Sequence, residues 1–381
     1  MNCVGFDVTR GAAVELTGGS LLTSVEELIQ PPDQTSFLAP GFIDIQINGF
    51  AGVDYNDPHA SIEAIGESLQ KVFSTGTTRI FPTVITGGPQ EMAGALRNLA
   101  KARAELPHGR AMEAFHVEGP NISPDDGPRG AHPRRWVRKP DYDEFRRWQE
   151  AAEGNVRLVT ISPEWPEAPA YIEKLVGEGV VVSIGHTKAD TDQIEAAVEA
   201  GATLSTHLGN GAHRELPRHP NYIWDQVADD RLTASFIADG IHLGRNFLKA
   251  AIRAKGLERS VLITDAVMPA LCPPGAYMLG EVEVELKPDD RVVLRGGERL
   301  AGSSLRMDRG IGVLMKEAGL TLGEALTLAT RNPARAGRVA GRLRGLQTGE
   351  RADVVEFEHE AEAKTIRVLR TWLDGEIVYA R

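Results

Sequence analysis

Val180-Val181-Val182-Ser183-Ile184-Gly185-His186-Thr187, followed at Ala202-Thr203-Leu204-Ser205-Thr206-His207-Leu208-Gly209-Asn210-Gly211, is the stretch on which the fold turns. Each half is a short, β-branched apolar run stopped by a histidine. Between them, Asp190 to Ala200 begins with cap-type residues. It carries Ile194, Ala197 and Val198 at helical spacing and meets Gly201 just past its end. The reading is strand, helix, strand. Strands joined by a crossover helix run parallel, so His186 and His207 emerge at one edge of the sheet and can share a metal ion.

Working outward, strand candidates recur at Phe42–Ile47, Thr78–Val84, Met112–Val117, Val156–Ser162, Val180–Ile184, Thr203–Ser205, Thr233–Ile237 and Val261–Thr264. Helical patterns separate most of them: Ile62–Phe73, Gln90–Ala104, Tyr142–Ala152, Tyr171–Val176, Asp192–Ala200 and Phe247–Ala254. Eight strands alternating with helices predict an α/β fold of (β/α)8 barrel type, with an open doubly wound sheet as the competing arrangement. Residues 276–300 read as an inserted hairpin region, and helices return at Leu305–Ala318 and Leu322–Ala336. The first 39 residues, punctuated by Pro31-Pro32 and Pro40-Gly41, share a strand-and-turn texture with the last 40. The expected organisation is therefore a small β-sandwich built from 1–39 and 341–381 beside a barrel over 40–340.

Composition narrows the partners. With 42% hydrophobic and 25% charged residues the chain reads as soluble and globular, and a net charge of −11 with no basic tail argues against nucleic acid. No run approaches the ~20 apolar residues of a membrane span. The N-terminus lacks a basic segment followed by an apolar one, so no leader is expected. Two isolated cysteines, Cys3 and Cys272, suit a reducing compartment, and the cytoplasm is the expected location.

The carboxyl face of a barrel carries its chemistry, so the residues ending each strand matter most. Strand three ends His116-Val117-Glu118-Gly119-Pro120, strand seven Asp239-Gly240-Ile241-His242, and strand eight Thr264-Asp265-Ala266. Glu118, His186 and His207 make a three-ligand set for one divalent cation, Zn²⁺ by its donor types, with Fe²⁺ or another divalent ion admitted. Three protein ligands leave a position for water, whose pKa the metal lowers from about 15.7 toward 7. Asp265 stands where it can take the proton and return it to the leaving group. Singly, each has a plain alternative: a histidine packed for structure, a glutamate capping a turn, an aspartate capping a helix. Their coincidence on one predicted face points to metal-assisted hydrolysis of an amide or ester.

Pro40-Gly41-Phe42-Ile43-Asp44, His116-Val117-Glu118-Gly119-Pro120, Arg129-Gly130-Ala131-His132, Gly185-His186-Thr187, Thr206-His207-Leu208, Ala238-Asp239-Gly240-Ile241-His242, Thr264-Asp265-Ala266 and Ala301-Gly302-Ser303-Ser304 together resemble the N-acetylglucosamine-6-phosphate deacetylase family of the amidohydrolase superfamily. The resemblance implies a (β/α)8 barrel with a terminal β-sandwich, a homodimer, and hydrolysis of an N-acetylated amino sugar phosphate to amine and acetate. It implies that Glu118, His186 and His207 hold the metal, that Asp265 is the acid/base and that His132 polarises the acetamide carbonyl. Ala131, Asn210, Gly211, Asp239, His242, Leu300, Ala301 and Gly302 would line the sugar site.

Two departures stand out. Gln46 and Asn48 occupy the positions where many amidohydrolases place His-x-His, and both are poor zinc ligands, so a single metal is expected. The family's Arg-Glu-Pro-Gly segment, whose arginine grips phosphate across the dimer, is replaced by the 209–224 stretch. There Arg214 or Arg218 would serve, since a guanidinium fork matches phosphate. Alternatively His219, Tyr222 and Trp224 would stack an unphosphorylated or different N-acyl sugar, the altered loop also admitting an N-acyl amino acid as substrate, or the stretch is an ordinary surface loop. A non-catalytic sugar-binding barrel is the reading from another class.

Overall fold

The computed structural model describes residues 1–29 and 36–381; the Pro31-Pro32 breakpoint lies outside the described residues. Eight strands form one sheet: β1 (Phe42–Ile47), β2 (Thr77–Ile85), β3 (Phe115–Glu118), β4 (Val156–Ile161), β5 (Val181–Ile184), β6 (Leu204–Ser205), β7 (Thr233–Ile237) and β8 (Ser260–Ile263). Each pairs in parallel with its predecessor, so chain order is sheet order. The two edges meet where the Asp265 amide donates to the Gln46 carbonyl at 2.9 Å and Ile47 bridges Ala266. The barrel predicted from strand count is the observed architecture.

Helices fall between the strands because their apolar residues recur at helical spacing. Ile62–Phe73 buries Ile65, Leu69, Val72 and Phe73 on one face, and Ser61 caps it by accepting from the Ala64 amide. Thr191–Glu199, inside the opening stretch, starts in a capping box in which Asp190 and Gln193 satisfy each other's amides. The predicted helix Leu322–Ala336 is instead two, Leu322–Ala329 and Arg331–Ala336. Pro333 explains the break, since it has no N–H to donate and its ring clashes with the carbonyl four residues back. The 276–300 insertion is a three-stranded antiparallel sheet, Gly275–Leu279, Val282–Leu286 and Val292–Leu294.

Both termini join a separate seven-stranded sheet, ordered Glu376–Ala380, Thr365–Leu373, Val354–Glu360, Phe37–Pro40, Asn2–Asp7, Ala12–Gly18 and Leu22–Glu27. Its hydrogen-bonded order is continuous, and it has its own small core of Val14, Leu16, Leu22, Leu38, Val354 and Trp372. Charged groups tie it to the barrel. Arg79 of β2 grips Asp353 with Nε at 2.8 Å and Nη2 at 3.0 Å, and reaches Asp374 at 2.6 Å. Arg342 reaches the same Asp353 at 2.5 Å. Burial would raise the Asp353 carboxyl, but Arg342 and Arg79 overcome it and hold it at about 2.

Candidate metal centre

At the carboxyl ends of the strands, Glu118 Oε1 lies 3.0 Å from His207 Nε2 and 3.2 Å from His186 Nε2, and the two Nε2 atoms are 3.0 Å apart. Two nitrogens and an oxygen on a common cation at ~2.0–2.1 Å in tetrahedral array would be about 3.3 Å apart. The spacing therefore fits one ion, and this is the cluster of metal-ligating type found among the described residues. All three side chains are buried.

The surroundings fix the donor atom of His186. His186 Nδ1 lies 2.7 Å from the Pro128 carbonyl, which can only accept. Nδ1 therefore carries the proton and Nε2 presents its lone pair to the cluster. The loop after β6 approaches that ring so closely that a Cβ on Gly211 would stand 2.7 Å from His186 Nδ1, at a residue whose φ is +57°. Burial would raise the Glu118 carboxyl, but the adjacent His186 and His207 rings hold it well below the usual range. Burial disfavours a charged His207, and Glu118 outweighs it and raises its pKa.

Asp265 stands beside the cluster, buried, with Oδ1 accepting from Asn48 Nδ2 at 2.7 Å and Gln46 Nε2 at 3.2 Å. Gln46 Nε2 also donates to Glu118 Oε1 at 2.9 Å. The two side-chain amides are thus donors, Gln46 bridging Glu118 and Asp265 and Asn48 serving Asp265. Burial and the Glu118 charge push Asp265 up to about 6, near the range useful to a proton carrier.

A cavity of about 1280 Å³ opens over the cluster. His132 lines it, with Nδ1 at 2.8 Å from the Thr86 hydroxyl; burial pushes its pKa down to about 3, so the ring is neutral. His242 lines it too, and Asp239 sits behind: Asp239 Oδ2 is 2.6 Å from His242 Nδ1, while Oδ1 accepts the amides of Ile241 and His242 at 2.8 Å. Ala131, Asn210, Gly211, Arg214, Leu300, Ala301 and Gly302 also border this space, whereas Asp239 and Arg218 do not. Arg218 is exposed on the outer loop.

The 209–224 stretch is more ordered than a loop reading suggested. Asn221 caps a short helix, Tyr222–Ala228, by accepting the Ile223 and Trp224 amides. Tyr222 is the first residue of that helix, and its hydroxyl accepts the His213 amide at 2.8 Å. Trp224 is 52% exposed, and none of His219, Tyr222 and Trp224 borders the cavity. The stacking arrangement expected of them is therefore not formed within this chain. Sequence reasoning also treated Gln46 and Asn48 as mere absences. The period-two alternation Asp44-Ile45-Gln46-Ile47-Asn48 was the signal that they face inward together.

The amidohydrolase family model matches residues 37–378. The chain is 32% identical over 340 residues to N-acetylglucosamine-6-phosphate deacetylase of Bacillus subtilis, covering 88% of this chain and 84% of that protein. It is 33% identical to N-acetylgalactosamine-6-phosphate deacetylase of a Shewanella strain, covering 90% and 83%. Among solved structures, a mutant N-acetyl-D-glucosamine-6-phosphate deacetylase from Mycobacterium smegmatis, in complex with N-acetyl-D-glucosamine-6-phosphate, superposes with TM-score 0.89 at 30% identity over 100% of this chain and 99% of that one.

Proposed function

This chain belongs to the amidohydrolase family, and from that premise we propose that it removes the acetyl group from N-acetylglucosamine 6-phosphate, yielding glucosamine 6-phosphate and acetate. It is a deacetylase acting on an amide bond, as its relatives over most of their length are. The observation that carries the finer reading is the convergence of Glu118, His186 and His207 on one point, with Asp265 and His132 facing the same cavity.

The donor set fits one divalent ion, and two imidazoles with a carboxylate suit Zn²⁺ while accepting others. Such an ion supplies Lewis-acid chemistry, acidifying water and polarising a carbonyl. The chain's own groups do the rest. Asp265 takes a proton from the attacking water, whose oxygen forms the new bond to the acetyl carbon. In this assignment the Thr86 hydroxyl donates to Nδ1, and the Nε2–H of His132 forms a hydrogen bond to the acetyl oxygen without giving up its proton. As the C–N bond breaks, Asp265 returns its proton to the sugar nitrogen. Asp239 takes the Nδ1 proton of His242 as a hydrogen bond and leaves His242 Nε2 to accept from a sugar hydroxyl. Arg214 is the cavity-lining cation we assign to the phosphate: it has no carboxylate partner among the described residues, whereas Arg135 is paired with Glu281 and Arg299 donates to the Gly130 carbonyl at 3.3 Å. Homodimeric assembly and a cytoplasmic setting belong to this proposal, the latter supported by free thiols at Cys3 and Cys272.

Turnover of N-acetylglucosamine 6-phosphate, its galactosamine epimer, the free sugars and an N-acetyl amino acid tests the reading. The phosphorylated hexosamines are expected to exceed the others in kcat/KM; equal or better turnover of a free sugar would reject it.

A further inference from the structure

We propose that Asp44 is the positioning residue that sets the backbone and carboxylate of Asp265 for amide cleavage. This deepens the deacetylase reading and rests on it. Asp44 lies in β1 with 1% of its surface exposed and forms no ion pair among the described residues. A buried carboxylate without a cation is costly, so its hydrogen bonds must account for its place.

All of them come from the two residues that frame Asp265. The Thr264 hydroxyl donates to Asp44 Oδ2 at 2.5 Å, and the amides of Thr264 and Gln46 donate to Oδ1 at 3.2 and 3.3 Å. Thr264 precedes Asp265 in the chain, and its hydroxyl oxygen also accepts the amide of Ala266, the residue after, at 3.1 Å. Gln46 supports Asp265 from across the seam: its carbonyl accepts the Asp265 amide at 2.9 Å and its side chain reaches Oδ1 at 3.2 Å. One carboxylate therefore holds both supports.

The need for such a clamp is visible in the backbone. Asp265 has φ +50°, a left-handed conformation costing roughly 1–3 kcal/mol, which persists only where the surroundings over-determine it. Backbone bonds hold the residue on both sides, its amide to the Gln46 carbonyl at 2.9 Å and its carbonyl to the Ser303 amide at 3.0 Å, and Asp44 adds the side-chain bonds that fix the two residues those contacts depend on. Burial pushes the Asp44 carboxyl up to about 7 against the opposing pull of the Thr264 and Gln46 donors, consistent with a group placed for geometry and not for charge pairing.

Asp44→Asn replaces one acceptor oxygen with a donor, so the side chain cannot accept both the Thr264 hydroxyl and the two backbone amides. The expected result is a kcat roughly 10–100-fold lower, the usual cost of losing a group that orients a reacting one. KM and bound metal per chain stay at wild-type values. In crystals of that variant the Asp265 carboxylate is expected to leave hydrogen-bond range of Asn48 Nδ2, a readout independent of turnover. Thr264→Val removes the hydroxyl and should show the same kcat–KM split, while Thr264→Ser keeps it and should restore wild-type kcat. If Asp44→Asn does not fold, the Thr264 pair decides. An unchanged kcat in folded Asp44→Asn, or Thr264→Ser as slow as Thr264→Val, would overturn the assignment. An inactive wild-type enzyme would instead sink the deacetylase reading, and the displaced carboxylate would still test this one.

Discussion

His186, His207 and Asp265 have φ of 49°, 29° and 50°, a region that few residues other than glycine enter. Each strand therefore ends by turning its last functional residue sharply into the cavity, and the strain sits where the chemistry is. The identity of these residues was legible, because each terminates a β-branched run. Their backbone twist was not, since no residue type announces it. Asp265→Asn keeps the size of the side chain and removes the carboxylate to which the proposed mechanism gives the proton. kcat should fall about 10²–10⁴-fold with bound metal unchanged, and a variant of undiminished rate would remove Asp265 from the mechanism. Gly211→Ala introduces a Cβ 2.7 Å from His186 Nδ1. Loss of metal affinity, read by metal content after dialysis, is the expected outcome, and full retention would show that the ring has room to yield.

At the scale of elements, β1 carried information that ligand chemistry alone overlooked. Strand alternation places Asp44, Gln46 and Asn48 on one face, and those three residues supply the hydrogen bonds around Glu118, Asp265 and Thr264. The barrel strands and most of their helices were readable because their apolar periodicity is strong. Tyr222–Ala228 was missed because it is short and begins within a polar, proline-rich run, where only the Asn221 cap marks its start. The same stretch sorts its two arginines: Arg214 borders the cavity and Arg218 does not. A charge-assisted bond to phosphate is worth about 1.5–3 kcal/mol. Arg214→Ala should therefore lower kcat/KM for the phosphorylated sugar at least tenfold and leave the free sugar unaffected. Equal losses on both would assign Arg214 a structural part.

At the scale of the molecule, both chain ends return to one sheet, and a buried charge cluster fastens that sheet to the foot of the barrel. The shared texture of the two ends was visible in the sequence. The pairing of Arg79 and Arg342 with Asp353 was not, because it joins residues 274 and 11 apart in the chain. Asp353→Ala would leave the buried Arg342 guanidinium without its carboxylate while Arg79 keeps Asp374, a loss of about 3–5 kcal/mol in denaturant unfolding. Because the Asp353 pKa is depressed in the folded state, its contribution is present in full above the unfolded value of about 3.9 and is lost as pH falls through about 2. The acid limb of the stability curve should therefore flatten in the variant, and an unchanged limb would assign that limb to other carboxylates. On the proposed reading, one carboxylate and two imidazoles gather a single cation beside Asp265. Anomalous scattering from crystals of the metal-loaded protein tests it most directly. The predicted result is one peak per chain, about 2.0–2.2 Å from Glu118, His186 Nε2 and His207 Nε2; a peak held by other residues, or none at this cluster, would contradict it.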